Sequence, residues 1–424
     1  MSTPYADGDN ITSQTAADSA VETTRSPMFA ILRSRPYLLL WTAQFASLMA
    51  GFFNYVAIAW LVLQLTGSNL AVGGVLAAAS VPMAVLMLFG GVASDRFSPR
   101  TTMLVAGLVR GGVMAVLAVL ALTRSVQLWE LFAGAFVVGA TSAFFVPAST
   151  SMLPRLVAAD QLHAGNALLN LSRTAAMVLG SAVAGVVVAA VGAGAALGID
   201  ATASVLAGLL VLPLRADGAG PAGATGSPLG DVRDGVLYVW RDVPLRAALM
   251  VIAVLNLAAL GAIEVGLPAL AFQRFSQGAA ALGTAFAAWG IGSTVGSILA
   301  GTRPTPGRFG RFMLATFALI GAGVAAAGLA PSLPVLIVVM VALGVVEGVA
   351  TTYLISWMQQ RTDPGMQGRV MSLAMLSSVG LEPVAFAVAG AVAGHDLGLL
   401  FWGSAVAIEL TALGASLSRS VRQM

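Results

Sequence analysis

The chain has 424 residues, of which 58% are hydrophobic and only 9% are charged, and its formal net charge is +3. Ordinary soluble domains carry roughly 25% charged residues, so this composition excludes a soluble globular protein. The absence of cysteine excludes disulfide bonds, thiolate catalysis and cysteine metal sites. All 21 basic residues are arginines scattered over short loops, which argues against a nucleic-acid partner.

The N-terminal segment is polar. Residues 1–27 are rich in Ser, Thr, Ala and Asp, and Arg25 is their only basic residue. They lack the basic start and apolar centre of a secretory signal peptide. A segment with so few apolar residues cannot bury enough surface to offset the entropy lost on folding. We therefore predict a disordered cytoplasmic tail over residues 1–30.

The rest of the chain is a series of apolar runs of about 20 residues, the length that crosses a hydrocarbon layer of ~30 Å. They predict an all-α polytopic membrane protein with twelve transmembrane helices. The 48 glycines fit this class, because small residues let helices pack closely in lipid. The predicted spans 1 to 12 are 37–63, 70–93, 102–122, 128–150, 165–191, 196–214, 246–271, 281–301, 310–330, 334–357, 370–393 and 398–418.

The longest polar segment, residues 215–245, divides these spans into two sets of six. It predicts a first six-helix bundle over residues 31–214 and a second over residues 246–424. The segment begins as a cytoplasmic Ala/Gly/Pro linker and continues as a surface helix over residues 229–241. Four apolar residues of this helix share one side: Val232, Val236, Val239 and Trp240.

The arginines predict the orientation of the spans. Loops on the side of the N-terminus hold 17 arginines, whereas the loops on the other side hold only Arg124 and Arg274. Cytoplasmic loops carry an excess of basic residues, so both termini are predicted to be cytoplasmic.

The turn between spans 2 and 3 carries a motif, G-x-x-x-D-R-x-x-x-R, formed by Gly91, Asp95, Arg96 and Arg100. With this motif, the six-plus-six layout and the predicted cytoplasmic termini, the chain resembles the major facilitator superfamily over residues 30–420. The resemblance implies two six-helix pseudo-repeats and a cytoplasmic gate, in which the motif lies against the start of span 11 near Arg369.

Other stretches resemble one group within this superfamily. Phe145-Val-Pro-Ala148 and Gly368-Arg-Val-Met-Ser372 look like the twelve-span drug and proton antiporters, which include macrolide-efflux proteins and the enterobactin exporter. One departure concerns span 5, where many of these antiporters have a glycine- and proline-rich motif. The corresponding stretch here, Gly180 to Gly185, has no proline, although its small residues would permit close packing with a neighbouring helix.

Ionisable residues inside hydrocarbon cost about 2.5–3.5 kcal/mol on insertion scales, so each is a candidate site. The resemblance implies that spans 1, 4, 7 and 10 line a central cavity, that spans 2, 5, 8 and 11 flank it, and that spans 3, 6, 9 and 12 lie outside. On this basis Arg110 and Glu409 face away from the cavity. The candidates for proton coupling or substrate binding are Glu264, Glu347, Glu382 and Arg173.

Each candidate has a structural alternative. Desolvation favours the protonated form of Glu347 and suits reversible proton binding, but Glu347 and Glu264 could equally be paired or hydrogen-bonded acids. Glu382 precedes Pro383 and could satisfy a backbone group freed by the proline. Arg173 could neutralise an anionic substrate or form an ion pair. The polar residues Gln44, Asn54 and Asn256 could bond a substrate or another helix.

The predicted function is secondary active transport by alternating access, with proton-coupled efflux of a small amphipathic or hydrophobic compound. Such a protein would be a monomer in the bacterial inner membrane, with substrate, protons and lipid as partners and neither metal nor cofactor. An ATP-binding Walker loop needs a lysine, which the chain lacks. Two alternatives remain open: a lysophospholipid flippase of the same fold, suggested by a similar Pro-Ala pattern after span 4, and a non-transporting membrane sensor.

Overall fold

The computed structural model describes residues 28–158, 161–214, 228–304, 306–363 and 365–417, with the side chains of 28–30, 88–97, 163 and 228–232 outside the description. Twelve of its helices are long and apolar enough to cross a membrane, as predicted. The predicted tail lies outside the described residues up to residue 27, and Met28–Arg33 form a short 3₁₀ helix.

Ten spans are continuous helices, and spans 7 and 11 are interrupted. In the first half, spans 1 to 6 are Arg35–Thr66, Asn69–Phe97, Pro99–Leu122, Leu128–Leu156, Leu162–Val191 and Ala193–Leu210. In the second half, span 8 is Ala279–Gly301, span 9 Phe309–Leu329, span 10 Leu333–Arg361 and span 12 Leu397–Leu417. Span 7 runs from Val243 to Arg274 through two π-helical segments, and span 11 consists of Gln367–Val379 and Glu382–His395.

Both ends of the described chain lie at the same end of the helix bundle, which we call the terminal face; the other end is the opposite face. The two halves pack against each other through span 2 on span 11 and span 5 on span 8. Both crossings are glycine pairs close to the opposite face. A Cβ atom on Gly73 would lie 2.7 Å from Cα of Gly390, and one on Gly185 would lie 2.8 Å from Cα of Gly283.

Side chains reinforce this closure at the opposite face. The Asn69 amide donates a hydrogen bond of 2.8 Å to the carbonyl of Ala393, between spans 2 and 11. Trp60 of span 1 meets Phe272 of span 7 edge-to-face, with ring centroids 5.2 Å apart. The structure therefore represents a state in which the halves are closed together at the opposite face.

The segment between the halves ends in a helix, Pro228–Arg241, which we call the linker helix. Asp242, which follows it, accepts two hydrogen bonds from Nε of Arg361, at 3.2 and 3.0 Å. The same carboxylate accepts from the backbone N–H of Leu245 at 3.0 Å and so caps span 7. Tyr238 accepts a hydrogen bond from the backbone N–H of Asp363. The linker helix is thus fastened to spans 7 and 10 of the second half.

The predicted apolar side of this helix agrees only in part with the structure. Val239 is buried, whereas Val236 and Trp240 are exposed. The side chain of Val232 lies outside the described residues. The helix end also makes polar and ionic contacts, which hydrophobic spacing does not reveal.

We expect Asp242→Ala to loosen the linker helix where it joins span 7, because it removes the N-cap of span 7, worth about 1 kcal/mol, together with a half-exposed ion pair to Arg361 worth less. Hydrogen exchange of residues 228–241 should become about fivefold faster. Asp242→Asn provides the control, since asparagine still caps span 7. It should accelerate hydrogen exchange of residues 228–241 by less than Asp242→Ala does. Equal exchange in all three proteins would mean that other contacts fasten the helix.

Candidate functional site

A cavity of about 500 Å³ lies at mid-depth between the two halves. Its ionisable lining residues are Arg110, Tyr55 and Glu264, and most of its remaining wall is apolar or aromatic. Phe52 and Tyr55 come from span 1, and Phe286 and Trp289 from span 8. We call this space the central cavity. Its size lies within the range of 300–1,000 Å³ typical of small-molecule sites.

A smaller cavity of about 200 Å³ adjoins it and holds two acids. Glu264 lines both cavities, and Glu382 lines the smaller one together with Asn54. Within the described part of the chain, neither carboxylate has a hydrogen bond or an ion pair. Two carboxylates in one apolar space repel each other when both are ionised, and a proton on either relieves that repulsion.

The backbone of span 7 explains how Glu264 reaches both cavities. Asn256–Leu260 and Ala262–Gly266 are π-helical, with one extra residue per turn, a feature often found at functional sites. The phenol of Tyr55 donates a hydrogen bond of 2.6 Å to the backbone carbonyl of Glu264. This contact joins spans 1 and 7 and fixes the widened turn against the other half.

Glu382 owes its position to the break in span 11. Gly380 and Leu381 lie between the two helical segments, and Glu382 begins the second with Pro383 directly after it. Proline is tolerated in the first turn of a helix because its missing N–H would have no partner there. The break therefore places Glu382 near the middle of span 11, on the cavity that it shares with Glu264, with no hydrogen bond to a described backbone group.

Glu347 occupies a different environment. Spans 8 and 10 pack so closely that a Cβ atom on Gly344 would collide with the carbonyl of Trp289, and one on Gly348 with that of Ser293. This packing brings Glu347 against Trp289, whose indole N–H donates a 2.5 Å hydrogen bond to Oε2. Of Glu264, Glu347 and Glu382, only Glu347 has a side-chain hydrogen bond to a described residue.

A buried ion pair adjoins the central cavity on the side formed by spans 3 and 6. Arg110 of span 3 donates to Oδ1 of Asp200 on span 6 through Nε and Nη2, at 3.3 and 3.1 Å. The hydroxyl of Ser204 donates to the same oxygen at 2.9 Å. The Asp200 side chain is fully buried, while that of Arg110 is 11% exposed. Oδ2 of Asp200 has no partner among the described residues.

The family model of the Major Facilitator Superfamily matches residues 40–381. The chain belongs to this superfamily. It is 28% identical over 422 residues to the multidrug efflux pump Tap of Mycobacterium tuberculosis (strain ATCC 25618 / H37Rv), covering 94% of this chain and 95% of the relative. The multidrug efflux pump Tap of Mycolicibacterium fortuitum is 26% identical over 388 residues, with coverages of 88% and 90%.

The fold comparison agrees. The crystal structure of the nucleoside transporter NupG superposes with a TM-score of 0.68 at 13% identity, and covers 89% of this chain and 98% of that one. At this identity the likeness concerns the fold alone. The protein is thus a multi-pass membrane transporter of the Major Facilitator Superfamily.

Three predicted site residues of this transporter lie apart from the acidic pair. Gln44 and Arg173 line a cavity of about 180 Å³ in the first half, and the Arg173 side chain is exposed. Asn256 donates to the carbonyl of Ile252 at 2.9 Å and to the hydroxyl of Ser378 at 3.3 Å, so it links spans 7 and 11. Asn54 lines the smaller cavity together with Glu264 and Glu382, and its amide contacts Sδ of Met114 at 3.0 Å.

The predicted gate of the transporter is only partly described. The side chains of Gly91, Asp95 and Arg96 lie outside the described residues, and Arg100 lies half-buried in the first turn of span 3. Arg369 forms an ion pair of 3.4 Å with Asp234 of the linker helix. The role of these five residues as a gate remains a prediction.

The prediction that spans 3 and 6 lie outside the central cavity is wrong, whereas no described residue of span 9 or span 12 lines that cavity. Arg110 and Ser204, from spans 3 and 6, line the central cavity, and Ile320 of span 9 lines a cavity in the second half. Small residues explain this, because the close approach of Gly107 to Gly208 lets spans 3 and 6 reach inward as a pair. Glu409 of span 12 is exposed and lies beside Gly321.

Sequence reasoning also missed two residues. Asp200 is an acid in an apolar run, and the same rule that selected the other membrane acids would have selected it. Trp289 carries no such signal, since a tryptophan in a membrane helix is common and its partner lies 58 positions away.

Proposed function

We propose that the protein exports a small amphipathic compound from the bacterial cytoplasm in exchange for protons, by alternating access. The observation that carries the proposal is the acidic pair, Glu264 and Glu382, which shares a cavity and lacks partners among the described residues. Glu264 also faces the central cavity, where cargo would bind. Protonation and cargo binding can therefore influence each other through one side chain.

The distribution of arginines supports an orientation with the terminal face in the cytoplasm. The structure then corresponds to a state closed toward the outside. In the opposite state, which is open toward the outside and closed toward the cytoplasm, protons from outside would reach the acidic pair and promote the release of cargo. After the transition to the present state the protons would leave to the cytoplasm, and the ionised pair could take up new cargo. The multidrug efflux pumps among its relatives support export as the direction.

The test is transport in proteoliposomes with an acidic interior and ethidium outside as an amphipathic probe. The wild type should accumulate ethidium, and Glu264→Gln should reduce this proton-driven uptake by at least about tenfold, or about 1.4 kcal/mol. Exchange of ethidium across the membrane without a pH gradient should persist in the variant, because the substitution leaves the apolar and aromatic wall of the central cavity intact.

The matched control is Glu409→Gln, which removes an exposed acid of span 12 and should transport normally. Proton-driven uptake that is equal in the wild type and in Glu264→Gln would reject the assignment of the coupling site. Transport by the wild type that ignores the pH gradient would reject proton coupling itself and favour the lipid-flippase alternative.

A further inference from the structure

A second large cavity, of about 440 Å³, lies entirely within the second half. Spans 7 to 11 all contribute to it, including the peripheral span 9. Representative lining residues are Asn256, Phe317, Ile320, Leu343, Met358 and Met371. We call this space the second-half cavity. Its volume falls in the range of sites for drug-sized ligands.

The hydrogen-bonded pair of Trp289 and Glu347 divides this cavity from the central one. Trp289 lines both cavities, whereas Glu347 lines only the second-half cavity. The tight packing of spans 8 and 10 described above keeps the two residues adjacent. The two cavities are therefore separate compartments that share an aromatic wall.

The lining of the second-half cavity has a distinct chemistry. Among the described residues that line it, Glu347 is the one ionisable side chain, and the indole contacts just one of its oxygens. Trp289 and Phe317 offer aromatic faces, which attract organic cations. Three methionines, Met358, Met371 and Met375, provide adaptable apolar contacts that suit ligands of irregular shape. A cation would be met by a carboxylate in an apolar wall, and an anion would be repelled.

We infer that the second-half cavity is a separate binding site for a lipophilic organic cation, with its charge against Glu347 and its apolar body against Phe317 and Ile320. The site belongs to one half only, so its occupancy does not depend on the face to which the central cavity opens. The inference goes beyond the proposed function, because it requires neither proton coupling nor cargo movement.

The experiment measures equilibrium binding of tetraphenylphosphonium to the full chain in lipid nanodiscs without a pH gradient, corrected for empty nanodiscs. A Glu264→Gln background removes the carboxylate of the central cavity. In that background Glu347→Gln should weaken binding by about tenfold, and Ile320→Trp, which fills the cavity, should weaken it at least as much. Tetraphenylborate, an anion of the same shape, should not bind above the empty nanodiscs.

The matched control is Leu319→Trp, which places the same side chain on the exposed face of span 9 and should leave binding unchanged. No binding of tetraphenylphosphonium in the Glu264→Gln background overturns the inference, and so does binding by the Glu347→Gln and Ile320→Trp variants that equals that of the background. If Ile320→Trp does not fold, the nearly isosteric Glu347→Gln decides alone. A failure of proton-driven transport with this binding intact would reject the proposed function and leave the site in place.

Discussion

Replacement of Gly283 by leucine is expected to abolish transport while the chain still folds. Gly283 of span 8 crosses Gly185 of span 5 at the opposite face, where a Cβ atom would collide with the carbonyl of Ser181. The obstructing atoms belong to the backbone, so no side chain can rotate away to make room. The substitution should force the two halves apart at this face and destabilise the closed state that the structure represents.

The lack of native cysteine makes the displacement directly measurable. Ala279, close to the same crossing, is 1% exposed. A cysteine introduced there should resist a water-soluble maleimide in nanodiscs and should react in the presence of Gly283→Leu. Gly301→Leu is the control on the same helix, because a Cβ atom there meets no neighbouring atom within 4 Å. Slow labelling and normal transport in Gly283→Leu would show that the halves can close at this face without the glycine crossing.

The sequence was sufficient to predict the twelve spans because membrane crossing imposes both length and hydropathy on each helix. It also indicated close packing around Gly180 to Gly185, which the crossing of Gly185 with Gly283 confirms. The partner of that crossing could not be read from local composition, since small residues occur on almost every span. The interhelical partner is a property of the assembled bundle.

The acidic site was predictable only as separate residues. Each membrane glutamate stands out by its insertion cost, but nothing in the sequence indicates that Glu264 and Glu382 share a cavity while Glu347 binds Trp289. Those pairings depend on the π turns of span 7 and the break in span 11. The break coincides with Gly380 and Pro383, which mark it in the sequence, whereas the π turns have no comparable signal.

The error about Arg110 has a physical origin. A rule based on span number treats each helix as a uniform rod, yet a long arginine can extend from a peripheral span along the apolar wall toward a cavity. Here the guanidinium reaches the wall of the central cavity because Asp200 of span 6 holds it there. Because the two members of this ion pair differ in exposure, removing Arg110 and removing Asp200 should lower the free energy of unfolding by different amounts.

We expect Arg110→Met to reduce the free energy of unfolding by about 3–5 kcal/mol, because it leaves a charged group buried without its partner. Asp200→Leu should cost less, about 1–3 kcal/mol, the range for polar groups left without a partner. The difference follows from exposure: Asp200 is fully buried, whereas Arg110 can turn its charge toward the central cavity. Unfolding in SDS, followed by circular dichroism, measures both values.

The double variant, Arg110→Met with Asp200→Leu, separates the strength of the pair from the cost of breaking it. Replacing both charges with apolar groups is often neutral or stabilising in a buried site, so the double variant should be more stable than Arg110→Met. Arg173→Met, which removes an exposed arginine with no ion pair to a described residue, should lie within about 0.5 kcal/mol of the wild type. If the double variant loses as much stability as the two single variants together, the pair contributes no coupling energy. Arg110 and Asp200 would then stabilise the bundle through independent contacts, and the position of Arg110 at the central cavity would not depend on Asp200.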